Sequence, residues 1–213
     1  MATINVWSKV AVAVQTVLAA AKTITAITKA NPAVATSTTH GYTNGDVLLL
    51  KISGMTQLDY RVVRAAGVTA NDFQLEGVDS TSFDTFVSGT AEKITFGATA
   101  STLQDINGSG GEAESIGVST IHDDQNIEIP GNRTPIVYNF GSLWDPGDAA
   151  LKQMQVFDNS KTAGCLQITF ATGAKLYFAA YMSAPLVPVG SAGQPVTTPV
   201  TFRLRGRITN YTS

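Results

Sequence analysis

The stretch WDPGDAALKQMQVFDNSKTAGCLQITFATGAKLYFAAYM (residues 144–182) changes its apolar period once, and that change decides the fold. In its first half Ala150, Leu151, Met154 and Phe157 recur at three- and four-residue spacing, which stacks them on one face of a helix. Asp145 is placed to cap that helix through its carboxylate, and Pro146 suits a first helical position, whose amide has no partner in any case. Asp148 complements the positive end of the helix dipole. The pattern predicts a helix over about 146–159, closing near 159–161. In the second half LQITF and KLYFAAYM are apolar, strand-like runs flanking Ala171-Thr172-Gly173-Ala174, which reads as a hairpin with Gly173 in a left-handed turn position.

The same alternation extends in both directions. Downstream, a Pro/Gly-rich excursion over 183–199 leads to VTFRLRGRIT (residues 200–209), with Phe202, Leu204, Gly206 and Ile208 on one side and Arg203, Arg205 and Arg207 on the other. Upstream, RTPIVYNFGSLW continues in β pattern, and SIGVSTIHDDQNIEIPG holds two strand-like runs split by the polar residues 122–126. The segment 97–117 contains Gly108-Ser109-Gly110-Gly111 and reads as a flexible loop, ordered only by neighbours in an assembly. Near the N-terminus Val10, Val12 and Val14 alternate with small or polar residues, so 9–18 reads as a strand.

Between these parts, residues 23–86 carry short β-branched runs at 33–36, 47–52, 60–63 and 72–75. Asn31-Pro32, Asn44-Gly45-Asp46, Gly54 and Gly67 separate them with turn chemistry. We read a compact all-β unit of about five short strands. The fold class is thus mainly β (α+β): a β-sandwich or barrel with one flanking helix, plus a small all-β inserted domain. The segments are 1–21 as the N-terminal strand of the main domain, 22–93 as the insertion and 94–213 as the remainder.

Composition narrows the function. Only 14% of the 213 residues are charged, and 16 acids against 14 bases leave a net charge of −2, which argues against a sequence-independent nucleic-acid binder. So little charge protects a surface weakly against self-association. The one cysteine, Cys165, sits in an apolar run and reads as a buried inert thiol. The opening residues lack a basic region before an apolar core, and no segment approaches the roughly 18 continuous apolar residues of a membrane span. Synthesis and assembly inside a cell are expected, where the Asn132-Arg133-Thr134 sequon carries no meaning. No nucleophile elbow, phosphate loop or dinucleotide fingerprint is present, so no enzyme activity and no cofactor are expected. His122-Asp123-Asp124 lacks a second histidine or cysteine at ligand spacing, so no metal site is expected either.

From residue 114 onward the order of elements resembles the tail tube subunit of long non-contractile-tailed, lambda-like phages. That order is a strand pair, a Trp-Asp-Pro-Gly helix, a Leu-x-Ile-x-Phe strand, a glycine turn, a Lys-Leu-Tyr-Phe strand and a last strand alternating basic with apolar residues. Residues 40–41, 44–46, 52–55, 73–75 and 77–80 are similar to a small accessory β-module of phage structural proteins. That module is labelled after the first catalytic-cysteine half-domain of ubiquitin-activating enzymes, and here it contains no cysteine.

The resemblance implies a subunit of a virion tail, assembled in the host cytoplasm as homo-hexameric rings stacked into a tube. The implied partners are a tape-measure protein and double-stranded DNA in the lumen, with terminator and tip proteins at the ends and no membrane. A duct for DNA must not hold phosphate, which makes Glu112, Glu114, Asp123, Asp124 and Glu128 candidate lumen acids. Three like charges along one strand repel unless carboxylates answer them, which makes Arg203, Arg205 and Arg207 candidate inter-subunit contacts. The insertion is expected to point outward, away from the bore. Two rivals remain at this stage: a tail terminator or head–tail joining ring, and a carbohydrate- or receptor-binding accessory protein using Tyr42, Tyr60 and Phe83.

Overall fold

A computed structural model describes residue 4 and residues 7–212. Expectations for the other residues of segment 1–21, and for Ser213, lie outside the described residues. The strands in chain order are β1 (Ala11–Leu18), β2 (Lys22–Ile24), β3 (Ala26–Ile27), β4 (Val34–Thr36) and β5 (Val47–Ser53). After a 3-10 turn at Thr56–Leu58 come β6 (Val62–Ala66), β7 (Asp72–Leu75), β8 (Ser88–Ala100), β9 (Leu103–Ser109), β10 (Ala113–Gly117), β11 (Glu128–Arg133) and β12 (Val137–Leu143). The helix α1 (Ala149–Ser160) follows, then β13 (Ala163–Thr169), β14 (Lys175–Ser183) and β15 (Thr197–Tyr211). The protein is mainly β, with a curled sheet and one helix.

Among the described residues, one sheet runs β3-β4-β7-β6-β5-β8-β1-β13-β14-β15-β12-β9, with β2 added on β8. The long strand β8 is the hinge of this order. Its first half pairs with β5 in the register Leu48↔Lys93 to Ser53↔Ser88, and its second half pairs with β1 from Ile94 to Ala100. A sheet of this length twists enough to curl back on itself. The end carrying β6 and the 3-10 turn therefore packs across β14 and β15.

Three cores follow from that curl. Val12, Val14, Leu166, Ile168, Phe178 and Phe202 bury one sheet face against α1 and β12. Leu48, Leu50, Val63, Phe73 and Leu75 build a separate core for the segment 24–91. Between the two, Leu49, Val62, Ile94, Cys165, Tyr177, Ala179 and Tyr211 join the segment 24–91 to the opposite sheet face. Burial there pushes the Cys165 thiol well above its ordinary value, so the thiol is inert, as its apolar surroundings in sequence suggested.

The helix stripe is as the periodicity requires, with Ala150, Leu151, Met154 and Phe157 buried. Its start differs. The cap is Asp148, whose carboxylate accepts from the Ala150 and Leu151 amides at 2.8 and 2.9 Å and also from the Ser101 amide and hydroxyl at 3.1 and 2.9 Å. Asp145 instead accepts from the Gly147 amide at 2.7 Å and shapes the turn before the helix. Tertiary bonding to Ser101 decides between two equally good capping residues. At the far side of the helix, Gly164 admits the Phe157 ring: a Cβ there would lie 2.8 Å from that ring and from the Met182 methyl.

One other expectation changes. Residues 97–117 are largely strand, for β8, β9 and β10 occupy most of that segment and a turn at Gly110 and Gly111, both at φ +87°, separates the last two. Glycine and serine marked the turn correctly, but backbone pairing of β9 along β12 overrides the loop composition around it. In β15 the alternation holds on both sides of Gly206, for Val200, Phe202, Leu204 and Ile208 all pack on the core beneath the helix. The sequence did not show that the opposite face is covered too at the strand's end, where Thr209 and Tyr211 are buried. The residues from Arg205 to Thr209 oppose only Ala179 to Tyr177, so the strand bulges around Gly206. Gly206 sits at φ +85°, and a Cβ there would lie 2.5 Å from the Tyr60 carbonyl oxygen, so the bulge needs glycine.

Candidate assembly surface

Strands β10 and β11 form a two-stranded sheet of their own, apart from the main one. From Ala113 to Arg133 nearly every residue is exposed. The register pairs Ile116 with Ile129, and the Val118 amide donates to the Ile127 carbonyl at 2.9 Å. Cross-strand partners share a face, and residues two apart share it as well. Ile116, Val118, Ile127 and Ile129 therefore form an apolar stripe on one face of this arm, each 42–49% exposed. At the tip, Ile121 is 96% exposed. The opposite face is polar and includes a hydrogen bond from the Ser115 hydroxyl to Glu128.

All five acids singled out in the sequence belong to this arm or its base. Glu114 and Glu128 lie on its strands, Glu112 bonds at its root through its carbonyl to the Thr134 amide at 2.8 Å, and Asp123 and Asp124 stand at the tip. Asp123 accepts from the Thr120 amide at 2.6 Å and from its hydroxyl at 3.0 Å, and those two bonds hold its carboxyl below the usual carboxylate range. The tip is thus a tied turn, with the His122 amide also donating to the Thr120 hydroxyl at 3.3 Å.

The arginine row is divided by the bulge. Arg205 is half-buried and engaged inside its own chain: its guanidinium lies 3.4 Å from the centre of the Tyr60 ring and also donates to the Tyr181 hydroxyl. Arg207 is exposed, 5.7 Å from the Phe83 ring, and Arg203 is exposed on the strand. Among the described residues none of the three is paired with a carboxylate; the ion pairs there are Lys51–Glu92 at 2.7 Å, Lys93–Asp46 at 2.7 Å and Arg64–Glu76. The Arg64–Glu76 hydrogen bond raises the arginine and lowers the carboxyl.

At the arm's root lies a cleft of about 480 Å³ floored by Ile136, Leu204 and Ile208 and rimmed by Arg133 and Arg207. Sequence reasoning did not single out Arg133 or the isoleucines of the arm. Their signal was present: two apolar alternations flanking 122–126, in a segment with no further alternation opposite them to pair against.

The aromatics considered for a sugar platform are not gathered on the surface. Tyr42 is buried, its hydroxyl donating to the Ala91 carbonyl at 2.8 Å, and burial pushes its pKa up to about 12. Tyr60 lies under Arg205, and Phe83 packs on the module core. His40 is buried as well, its Nδ1 accepting from the Tyr42 amide at 2.9 Å, and its ring stacks on Tyr42.

A family model described as phage tail tube protein matches residues 53–213, well over half of the chain. The chain belongs to the phage tail tube protein family. This tail tube protein is therefore a structural component of the virion tail and not an enzyme. The match begins at the last residue of β5, inside the segment 22–93, and takes in the 3-10 turn, β6, β7 and every element from β8 onward, leaving β1 to β4 outside it. A comparison with curated proteins finds no match. No helix among the described residues is long and apolar enough to cross a membrane.

Proposed function

We propose that the subunit closes with copies of itself into hexameric rings that stack as the hollow tube of a long, non-contractile, lambda-like tail. The genome passes through that tube on delivery. The observation that carries this reading is the arm: a two-stranded hairpin with an uncovered apolar face is marginal alone in water and gains stability when a neighbour covers that face. Among the described residues the main sheet also ends at β3 and β9, whose outer edges can pair with another chain. Tape-measure protein and double-stranded DNA occupy the lumen in turn, and terminator and tip proteins close the ends. Glu112, Glu114, Asp123, Asp124 and Glu128 are the lumen candidates, because negative charge there prevents the wall from retaining phosphate.

The segment 22–93 is an accessory module carried by the tube domain and directed away from the bore. Its own core supports its treatment as a unit, and its shared strand β8 fixes it rigidly to the host. Electron microscopy of the purified protein, seeded with tail tips if it stays dispersed, tests the reading. Long hollow tubes with six-fold cross-sections are expected. Single rings that never stack would assign it instead to a terminator role, and seeded subunits that remain dispersed would reject assembly.

A further inference from the structure

The arm and the cleft at its root complement each other in shape and in charge. The tip offers a bulky apolar side chain, Ile121, followed directly by Asp123 and Asp124. The cleft offers an apolar floor of Ile136, Leu204 and Ile208, with a rim of two guanidinium groups. Arg133 donates only weakly, to the Gly111 carbonyl at 3.4 Å, and Arg207 faces only the edge of the module at Phe83. An acid placed beside either one gains an ion pair without breaking another. Ile121 entering the floor removes its exposed surface from water.

We propose that the arm tip of one copy seats in the arm-root cleft of another copy, with Ile121 on the Leu204–Ile208 floor and the tip carboxylates on Arg133 and Arg207. The occupant has to be a second chain. The arm is paired from Ala113 to Val118, and at roughly 3.3 Å per residue its tip begins about 15 Å from its own root. A contact of tip into root is head-to-tail, so each copy uses one end of the arm as plug and the other as socket, and the contact propagates from copy to copy. This inference rests on the tube reading above and adds the surface by which neighbours recognise each other. It also reassigns Asp123 and Asp124 from the lumen to the subunit contact, and within the arginine row it assigns the inter-subunit role to Arg207.

The test uses the full chain with Ile121→Ser, Asp124→Lys and Arg207→Glu, each at an exposed position, and circular dichroism and melting confirm the fold of each. Sedimentation and negative-stain microscopy then read the concentration at which tubes appear. Each variant alone is expected to raise it about tenfold or more. An equimolar mixture of Asp124→Lys with Arg207→Glu is expected to recover assembly, because a lysine tip then meets a glutamate socket and the native tip meets the native socket. Wild-type tubes together with unimpaired variants would overturn the docking while leaving the tube reading intact. Impaired variants whose mixture does not recover would overturn the pairing of these charges. Wild-type protein that never assembles, even when seeded, would overturn the tube reading itself.

Discussion

Single side chains settle where the elements begin and how they are fastened. Asp148 shows this most directly, because one carboxylate caps α1 and ties it to the strand connection at Ser101. Desolvation pushes that carboxyl up, but the bonds from Leu151, Ser101 and Ala150 outweigh it and hold it below its ordinary value. A depressed folded value means the contribution is present above the unfolded pKa of about 4 and is lost as pH falls through the folded one. Asp148→Ala is expected to lower stability at neutral pH by about 1–2 kcal/mol, the usual cost of a missing N-cap. Melting temperatures of wild type and variant should converge as acid protonates Asp148. A gap that persists unchanged in acid would show that the carboxylate's charge is not what stabilises the cap.

At the scale of elements, β15 does two jobs with its two faces. One face buries Val200 and Phe202 under the helix layer; the other buries Thr209 and Tyr211 under the module. Arg205, beside the bulge, clamps the loop after the 3-10 turn through the Tyr60 face, a contact worth about 1–2 kcal/mol when partly desolvated. The strand's alternation in sequence predicts three equivalent arginines open to a neighbour, and on that basis Arg205→Glu would spare the monomer. With the clamp in place, Arg205→Glu is expected to lower the monomer's melting temperature by several degrees, roughly 2–4 °C per kcal/mol lost in a chain of this size. Arg203→Glu, at an exposed position, should leave it unchanged. Equal melting of the two variants would free Arg205 for a role between subunits.

For the whole molecule, the curl of the sheet makes module and host interdependent. A sequence-level insertion with its own turns invites excision, and replacing residues 24–92 with a short linker would then leave tube dimensions unchanged. The middle core opposes that outcome. Removing the segment takes away Leu49 and Val62 and uncovers Cys165, Tyr177, Ala179 and Tyr211, which the folded chain keeps buried. It also removes β5 together with the half of β8 that pairs with it, from Ser88 to Glu92. The truncated chain is expected to aggregate or to expose apolar surface, read as dye binding and loss of the monomer peak in size-exclusion chromatography. A soluble, cooperatively melting truncation would restore the view of a detachable module.

What the amino-acid order determined by itself is local: the helix stripe at 150, 151, 154 and 157, the hairpin at Gly173, the valine alternation of β1 and the short strands at 47–53 and 72–75. Those follow from periodicity and turn chemistry acting over a few residues. The family was also legible, since the order of elements from 114 onward pointed to tail tube proteins before any match was made. The tertiary structure alone decided that Asp148 rather than Asp145 caps the helix, that β9 forms within a glycine-rich segment, that the second face of β15 is covered at its end, and that the five acids share one arm. The first three depend on groups far apart in the chain meeting across the curled sheet, where hydrogen-bond partners and packing, not local pattern, select among conformations that the local sequence permits equally.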